Sequence, residues 1–207
     1  VTGPVEVTNP DGVEDSAGFI VIVDPASLIF SEDFSEGIGD FNLISAASDA
    51  DWSLSSFADA EYIEINGYSA DGPSDDWAIS PEIDLSGVGN PFLVMGHRRV
   101  FAGPPLEIKV SSTWDGSSNP ADASWTDLSV TLAGDGSSEL VDSGMIDLSA
   151  YTGESVYVAI RYTAQGDRLS DGSALDQIYY FAVGGDVSGW VNTPELGWVY
   201  QYGNGWG

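Results

Sequence analysis

The stretch Val156-Tyr157-Val158-Ala159-Ile160-Arg161 carries the pattern that decides the fold. Val156, Val158 and Ile160 fall on one face of an extended chain, and Tyr157, Ala159 and Arg161 fall on the other. Successive side chains of a strand point to opposite sides, so this is the alternation of a strand with one face in a core. It returns in Leu106, Ile108 and Val110, set against Glu107 and Lys109. Helical periodicity is almost absent. Short apolar runs are instead separated by clusters of Gly, Asp, Ser, Asn and Pro, the pattern of an all-β sandwich or barrel. The run Phe92–Phe101, then Ala102-Gly103-Pro104-Pro105, then Leu106–Ser112 predicts a hairpin, which would bring Arg98 opposite Lys109. Long polar loops are expected at Trp114–Ser124, Ala133–Glu139 and Ala164–Ser173.

The chain has 207 residues, enough for one domain with extensions, and no cysteine. A sandwich of ~150 residues buries roughly 70% of the surface of its unfolded chain and needs no disulfide or metal to fold. Hydrophobic residues at 43% and aromatics at 12% supply a core and argue against disorder. Charge is the extreme feature: five Lys+Arg against 33 Asp+Glu, a net charge of −28. Such a field repels nucleic acid and anionic membrane surfaces, which both require a cationic footprint. It suits a saline exterior, where screening shortens self-repulsion, and equally an acidic set of secreted proteins. The longest strongly apolar run, Phe19–Val23, is too short to cross a bilayer. A first residue of valine reads as a processed mature chain or a piece of a longer one.

The ends differ from the middle, which divides the chain into 1–27, 28–184 and 185–207. In the first segment Phe19, Ile20, Val21, Ile22 and Val23 are apolar on both faces, so that strand must be covered on both sides. It can serve its own sandwich or add to a neighbouring copy's sheet, the second giving a head-to-tail contact able to build a fibre. At the other end Gly189-Trp190-Val191, Gly197-Trp198-Val199 and Gly205-Trp206 recur every eight residues. Trp190 and Trp198 could stack on sugar faces, or pack on each other or on the sandwich in short hairpins.

Several motifs in the middle follow one another in order. They are Ile29-Phe30-Ser31-Glu32-Asp33-Phe34 with Gly37; Asp76-Trp77-Ala78-Ile79-Ser80-Pro81-Glu82-Ile83-Asp84-Leu85-Ser86; Leu106–Ser112 with Trp125-Thr126-Asp127-Leu128; and Ile146-Asp147-Leu148-Ser149-Ala150-Tyr151-Thr152-Gly153 with Val156–Tyr162. In this order the segment 28–184 resembles the bacterial choice-of-anchor J or cleaved-adhesin domains, distant relatives of MAM domains. The resemblance implies a jelly-roll β-sandwich, flanked here by an extra N-terminal strand and a Trp-rich tail. It also implies export to the cell surface or exterior and an adhesive, structural or binding role. Family members close with a strand bearing an acid before the final apolar pair; here Tyr179 stands in its place, and Asp176 could compensate only through a register shift. Physically, Trp77 and Ile79 are core candidates, Pro81 ends a strand, and Asp84 and Ser86 are turn formers.

Related jelly rolls often hold an ion where the first strand meets a neighbouring loop. The resemblance therefore implies Ca²⁺ at Glu32, Asp33, Asp49 and Asp51, which carry the hard oxygens that ion takes, unless they are solvated loop acids. Catalysis has little material. His97 is the single histidine, and there is no Gly-x-Ser-x-Gly or His-Glu-x-x-His, so a non-enzymatic protein is expected. Arg98, Arg99 and Lys109 are three of the five cations and form either a partner-binding spot or internal ion pairs. Two functions remain in view. One is an adhesive or structural surface module able to bind other copies of itself; the other is a carbohydrate-binding module of a secreted polysaccharide-degrading enzyme.

Overall fold

The computed structural model describes residues 7–8, 14–15, 27–58, 60–165, 174–185, 189–193 and 197–201. Two antiparallel sheets pack face to face as a jelly-roll sandwich, with no α-helix among the described residues. Ahead of it, β1 (Val7–Thr8) pairs with β2 (Glu14–Asp15). The strands that follow are β3 (Leu28–Glu32), β4 (Asn42–Ala47), β5 (Ser53–Phe57), β6 (Ala60–Asn66), β7 (Ser74–Ile79), β8 (Ile83–Asp84), β9 (Phe92–Arg99), β10 (Glu107–Ser111), β11 (Thr126–Asp127), β12 (Leu140–Asp142), β13 (Ile146–Asp147), β14 (Ser155–Ala164) and β15 (Leu175–Gly184). The six-stranded sheet runs β11-β10-β14-β7-β4, with β8 also on β14. The seven-stranded sheet runs β12-β9-β15-β6-β5, with β13 also on β9 and β3 on β15. Beyond it, β16 (Gly189–Thr193) and β17 (Gly197–Gln201) form a hairpin in which Trp190 is opposite Tyr200 and Asn192 opposite Trp198. The Phe19–Val23 run and the third Gly-Trp unit lie outside the described residues, as does most of the Ala164–Ser173 loop.

Alternation fills the space between the sheets. Val156, Val158 and Ile160 of β14 meet Ile63, Leu93, Met95, Ile178, Phe181 and Val183 of the other sheet in one buried cluster. Every core residue the alternation singles out is buried, including Ile83, Leu85, Ile108 and Val110. Trp77 and Ile79 are buried too, but on the far side of their sheet. There the 112–125 loop folds back and packs Trp114 and Trp125 against Trp77, Ile79, Ala159 and Tyr157. Trp125 and Trp77 lie 5.5 Å apart between ring centroids, and the Arg161 guanidinium sits 5.0 Å from the Trp77 ring. The six-stranded sheet is thus covered on both faces here, which is why the successive residues Trp77, Ala78 and Ile79 at the end of β7 are all buried.

The expected hairpin of Phe92–Phe101 with Leu106–Ser112 does not form. β9 belongs to the seven-stranded sheet and β10 to the six-stranded one, so Arg98 is opposite Gln177 and Leu140, and Lys109 is opposite Asp127 and Ala159. Pro104 and Pro105 have no N–H with which to continue a ladder. The carbonyls of Gly103 and Pro104 instead accept hydrogen bonds from the Arg99 guanidinium at 3.2 and 2.9 Å. The segment crosses between sheets around that buried side chain.

Many of the acids serve turns. The tetrapeptide Ile-Asp-Leu-Ser occurs at 83–86 and again at 146–149, once on each sheet. In both copies Ile and Leu are buried and the Asp carboxylate accepts the Ser N–H, at 2.8 Å from Ser86 and 2.7 Å from Ser149. The side chain closes the turn that the backbone alone leaves open.

Candidate functional site

The three cations expected together are in three places. Arg99 points between the sheets, Lys109 lies on the outer face of the six-stranded sheet, and Arg98 lies on the outer face of the seven-stranded one. Lys109 forms ion pairs with Glu107 at 2.8 Å and with Asp127. Arg99 is 4% exposed. Its Nε and Nη2 donate to the two Asp176 oxygens at 2.8 and 3.0 Å, and Nη1 donates to Asp135 at 3.1 Å. The His97 Nδ1 accepts the Ala133 N–H at 3.0 Å, so the ring proton is on Nε2, which donates to Asp176 at 2.8 Å. The single histidine is therefore buried and held in one tautomer by structural bonds.

Arg98 belongs to an ordered polar row. Ser53, Glu64, Gln177, Arg98 and Leu140 are in register across five strands of the seven-stranded sheet. Their neighbours along each strand, Ile63, Ile65, His97 and Ile178, are buried, so this row faces outward. Gln177 Nε2 donates to Glu64 at 2.5 Å, while Arg98 Nη1 donates to the Gln177 oxygen at 3.2 Å. The Tyr179 hydroxyl joins them, 3.2 Å from the same oxygen and 3.4 Å from Arg98. Arg98 Nε is fixed by the Ser138 carbonyl at 2.8 Å.

Two consecutive tyrosines accompany the row because β15 bulges. The pairing with β9 runs Ile178 to His97 and then Tyr180 to Gly96, leaving Tyr179 unmatched. A bulge re-aims the side chains that follow it, so Tyr179 and Tyr180 share the outer face. Tyr179 stacks on Tyr62, ring centroids 4.7 Å apart. Tyr180 lies over Gly96, where an added Cβ would come within 2.3 Å of its ring, and its hydroxyl donates to Asp142. Burial and that carboxylate hold the Tyr180 hydroxyl well above the usual phenol range. Beside Tyr180 opens a depression of about 550 Å³ lined also by Ser31, Glu32, Ser35, Glu36 and Gly39. The bulge falls at Tyr179, and the adjacent Tyr-Tyr pair is its mark in the sequence.

The four acids expected to share calcium do not converge. Glu32 accepts the Phe34 N–H at 2.7 Å, and Asp33 accepts the Ser35 N–H and hydroxyl at 3.0 and 2.7 Å. The Ser35 hydroxyl and N–H hold the Asp33 carboxyl below its ordinary range. The Asp49 carboxylate accepts the Asp71 N–H at 2.8 Å, and the Asp71 carboxylate accepts the Asp49 N–H at 3.2 Å. The two pairs flank opposite ends of β4, a six-residue strand ~20 Å long. Among the described residues no three His, Asp or Glu side chains are grouped as metal ligands. For Trp190 and Trp198 the structure gives the backbone pairing alone.

No family model matches the sequence, and no curated protein matches it. The fold is shared with solved structures. One is the K3 cleaved adhesin domain of Lys-gingipain from Porphyromonas gingivalis W83: 17% identity, TM-score 0.51, 76% of this chain and 99% of that one. The K1 cleaved adhesin domain of the same protein aligns at 13% identity and TM-score 0.50 over 76% and 98%. TmCBM61, solved with β-1,4-galactotriose, aligns at 11% identity and TM-score 0.47 over 74% and 94%. The chain is thus a β-sandwich module with the architecture of the cleaved-adhesin domains. Among the described residues no helix is long and apolar enough to cross a membrane.

Proposed function

We propose that this chain is a secreted, non-enzymatic binding module that takes a neutral glycan on the outer face of its seven-stranded sheet. The observation that carries the reading is the bonded row Glu64–Gln177–Arg98, flanked by Tyr179 and Tyr180 and ending at the depression beside Tyr180. Sugar rings offer hydroxyl pairs at the edge and apolar faces above and below. The Glu64 carboxylate and Arg98 guanidinium match the first, held in line by the buried Gln177 amide between them, and tyrosine rings match the second. Each polar side chain of the row is already held by a neighbour, so little rotamer freedom is lost on binding. Glu32, Glu64 and Asp142 on or beside the face, and the net charge of −28, disfavour an anionic polysaccharide.

The test is calorimetric titration of the full chain against neutral and uronic-acid polysaccharides. Tyr179→Ala and Arg98→Ala should each weaken neutral-glycan binding at least tenfold while leaving the thermal midpoint within a few degrees. Absence of binding to any neutral glycan, or binding that both variants retain, would remove the reading. A second reading, an adhesive or structural module that joins other copies of itself, is favoured by the edge strand β5, which exposes Leu54 and Phe57 at 44% and 71%. Sedimentation of the intact chain and of a chain lacking residues 1–24 tests it. If both are monomers at high concentration and moderate salt, the self-assembling form is excluded.

A further inference from the structure

Leu54 of β5 is opposite Ile63, which is wholly buried in the core, so Leu54 belongs to the core side of its sheet. It is nevertheless exposed, because among the described residues no strand lies on the free side of β5. Phe57 follows Ser55 on the outer side of the same strand and is exposed as well. The edge is therefore open and apolar on both faces. Natural sheets blunt such edges with charge, proline or a bulge. Here β3, β8, β11, β12 and β13 each end in a carboxylate, and β4 breaks register between Ser45 and Ala47. β5 reads Ser-Leu-Ser-Ser-Phe and pairs with β6 in unbroken register, with no charge, proline or bulge. In a chain of net charge −28 it is a neutral slot.

We propose that the free side of β5 receives Phe19–Val23 of a second copy as an added antiparallel strand, joining copies head to tail. This contact, which rests on the reading of the chain as a module that joins other copies of itself, has a donor and an acceptor that match. Both segments are five residues long and uncharged, and the donor is apolar on both faces, as the slot is. The chain's own Phe19–Val23 does not serve. Ser27 accepts the Gly185 N–H at the foot of β3. From there the slot is two strand spacings sideways, and its nearer end, level with Phe57, is four residues along the sheet, a diagonal of ~16 Å. The four-residue step from Val23 to Ser27 spans at most ~14 Å at full stretch. Arriving from that end, the segment would also run parallel to β5, whereas the ladders of this sheet are antiparallel. A second copy meets neither restriction. Because donor and acceptor are different surfaces, the contact is heterologous and repeats without closing.

The experiment is sedimentation of the full chain and of two full-length variants, Val21→Asp in the donor and Leu54→Lys in the acceptor. The natural chain should form a ladder of oligomers that grows with concentration. Its association should strengthen at least tenfold between ~0.1 M and ~1 M salt, as the Debye length falls from ~10 Å to ~3 Å and the −28 charge is screened. Each variant alone should be a monomer. An equal mixture of the two should form a one-to-one complex that grows no further, since the intact donor of one enters the intact acceptor of the other. Oligomers that both variants keep, or a mixture that stays monomeric while the natural chain assembles, would overturn this contact and leave self-joining by another surface. A natural chain that stays monomeric at high concentration and ~1 M salt would remove the contact and the self-joining reading together. Should Leu54→Lys fail to fold, Phe57→Lys, at the exposed end of β5, supplies the acceptor arm.

Discussion

Arg99 and Asp176 face one another across the β9–β15 ladder as a bidentate ion pair, with neither side chain more than 4% exposed. Arg99 is also tied to the Gly103–Pro104 crossing, and Asp176 accepts a second hydrogen bond from His97, on the same strand as Arg99.

Breaking that pair from one side leaves a buried charge without its partner. Arg99→Met should therefore destabilise the chain by ~3–5 kcal/mol in chemical unfolding. Arg99→Met combined with Asp176→Leu should recover much of that loss. Equal destabilisation by the single and double variants would show that packing, not the uncompensated carboxylate, sets the cost.

Trp77 anchors the outer cluster on the six-stranded sheet. Trp77→Ala should cost ~3–5 kcal/mol, read as a fall in the urea midpoint with an unchanged m-value. Trp77→Phe should cost much less. It keeps most of the buried ring and deletes an indole N–H that has no acceptor.

Asp115 sets the pH response of the loop over that cluster. It accepts the N–H groups of Ser117 and Ser118 at 2.9 and 2.7 Å, which depresses its carboxyl to about 2. A depressed folded value contributes stability above the ordinary carboxyl range that is lost as pH falls through the folded value. Tryptophan emission from Trp114 and Trp125 should therefore shift to the red between about pH 4 and pH 2, and Asp115→Ala should show part of that shift at neutral pH. Identical acid titrations of the natural chain and the variant would refute the assignment.

Gly96 makes room for the Tyr180 ring. Gly96→Ala would drive a methyl into that ring, and overpacking of this kind costs ~1–3 kcal/mol. Because Tyr180 would leave Asp142, the variant should also lose affinity for a glycan on this face beyond what the midpoint shift explains. Gly96→Ala combined with Tyr180→Ala should restore the midpoint but not the affinity.

The sandwich was legible because alternation in Val156–Arg161 and Leu106–Val110 reports burial on one side directly. The layer over Trp77 was not. Only the last three residues of its strand, Trp77-Ala78-Ile79, are apolar, and the cover over them is a polar-looking loop whose two tryptophans are eleven residues apart. The crossing at Gly103–Pro105 misled because a Gly-Pro pair between two apolar runs is also turn chemistry. Only the burial of Arg99 shows why the chain goes over instead of back. For the face with Arg98 the cation was visible, yet its partners Gln177 and Glu64 are distant in sequence and were brought into line by strand order. The acids were the least readable, since a carboxylate that closes a turn and one that binds an ion use the same letter.

Strand order has one more consequence, for the timing of folding. The two strands at the middle of the sheets, β14 and β15, come after most of the sandwich, and together they pair with six of the other strands. A nascent chain that has reached Glu154 holds flanking strands whose central ladders do not yet exist. Such long-range pairing is slow to nucleate and keeps apolar edges exposed until it is complete. The sandwich should therefore stay unfolded and threadable until β15 has been made and then collapse in one cooperative step, with the dense negative charge keeping the waiting chains apart.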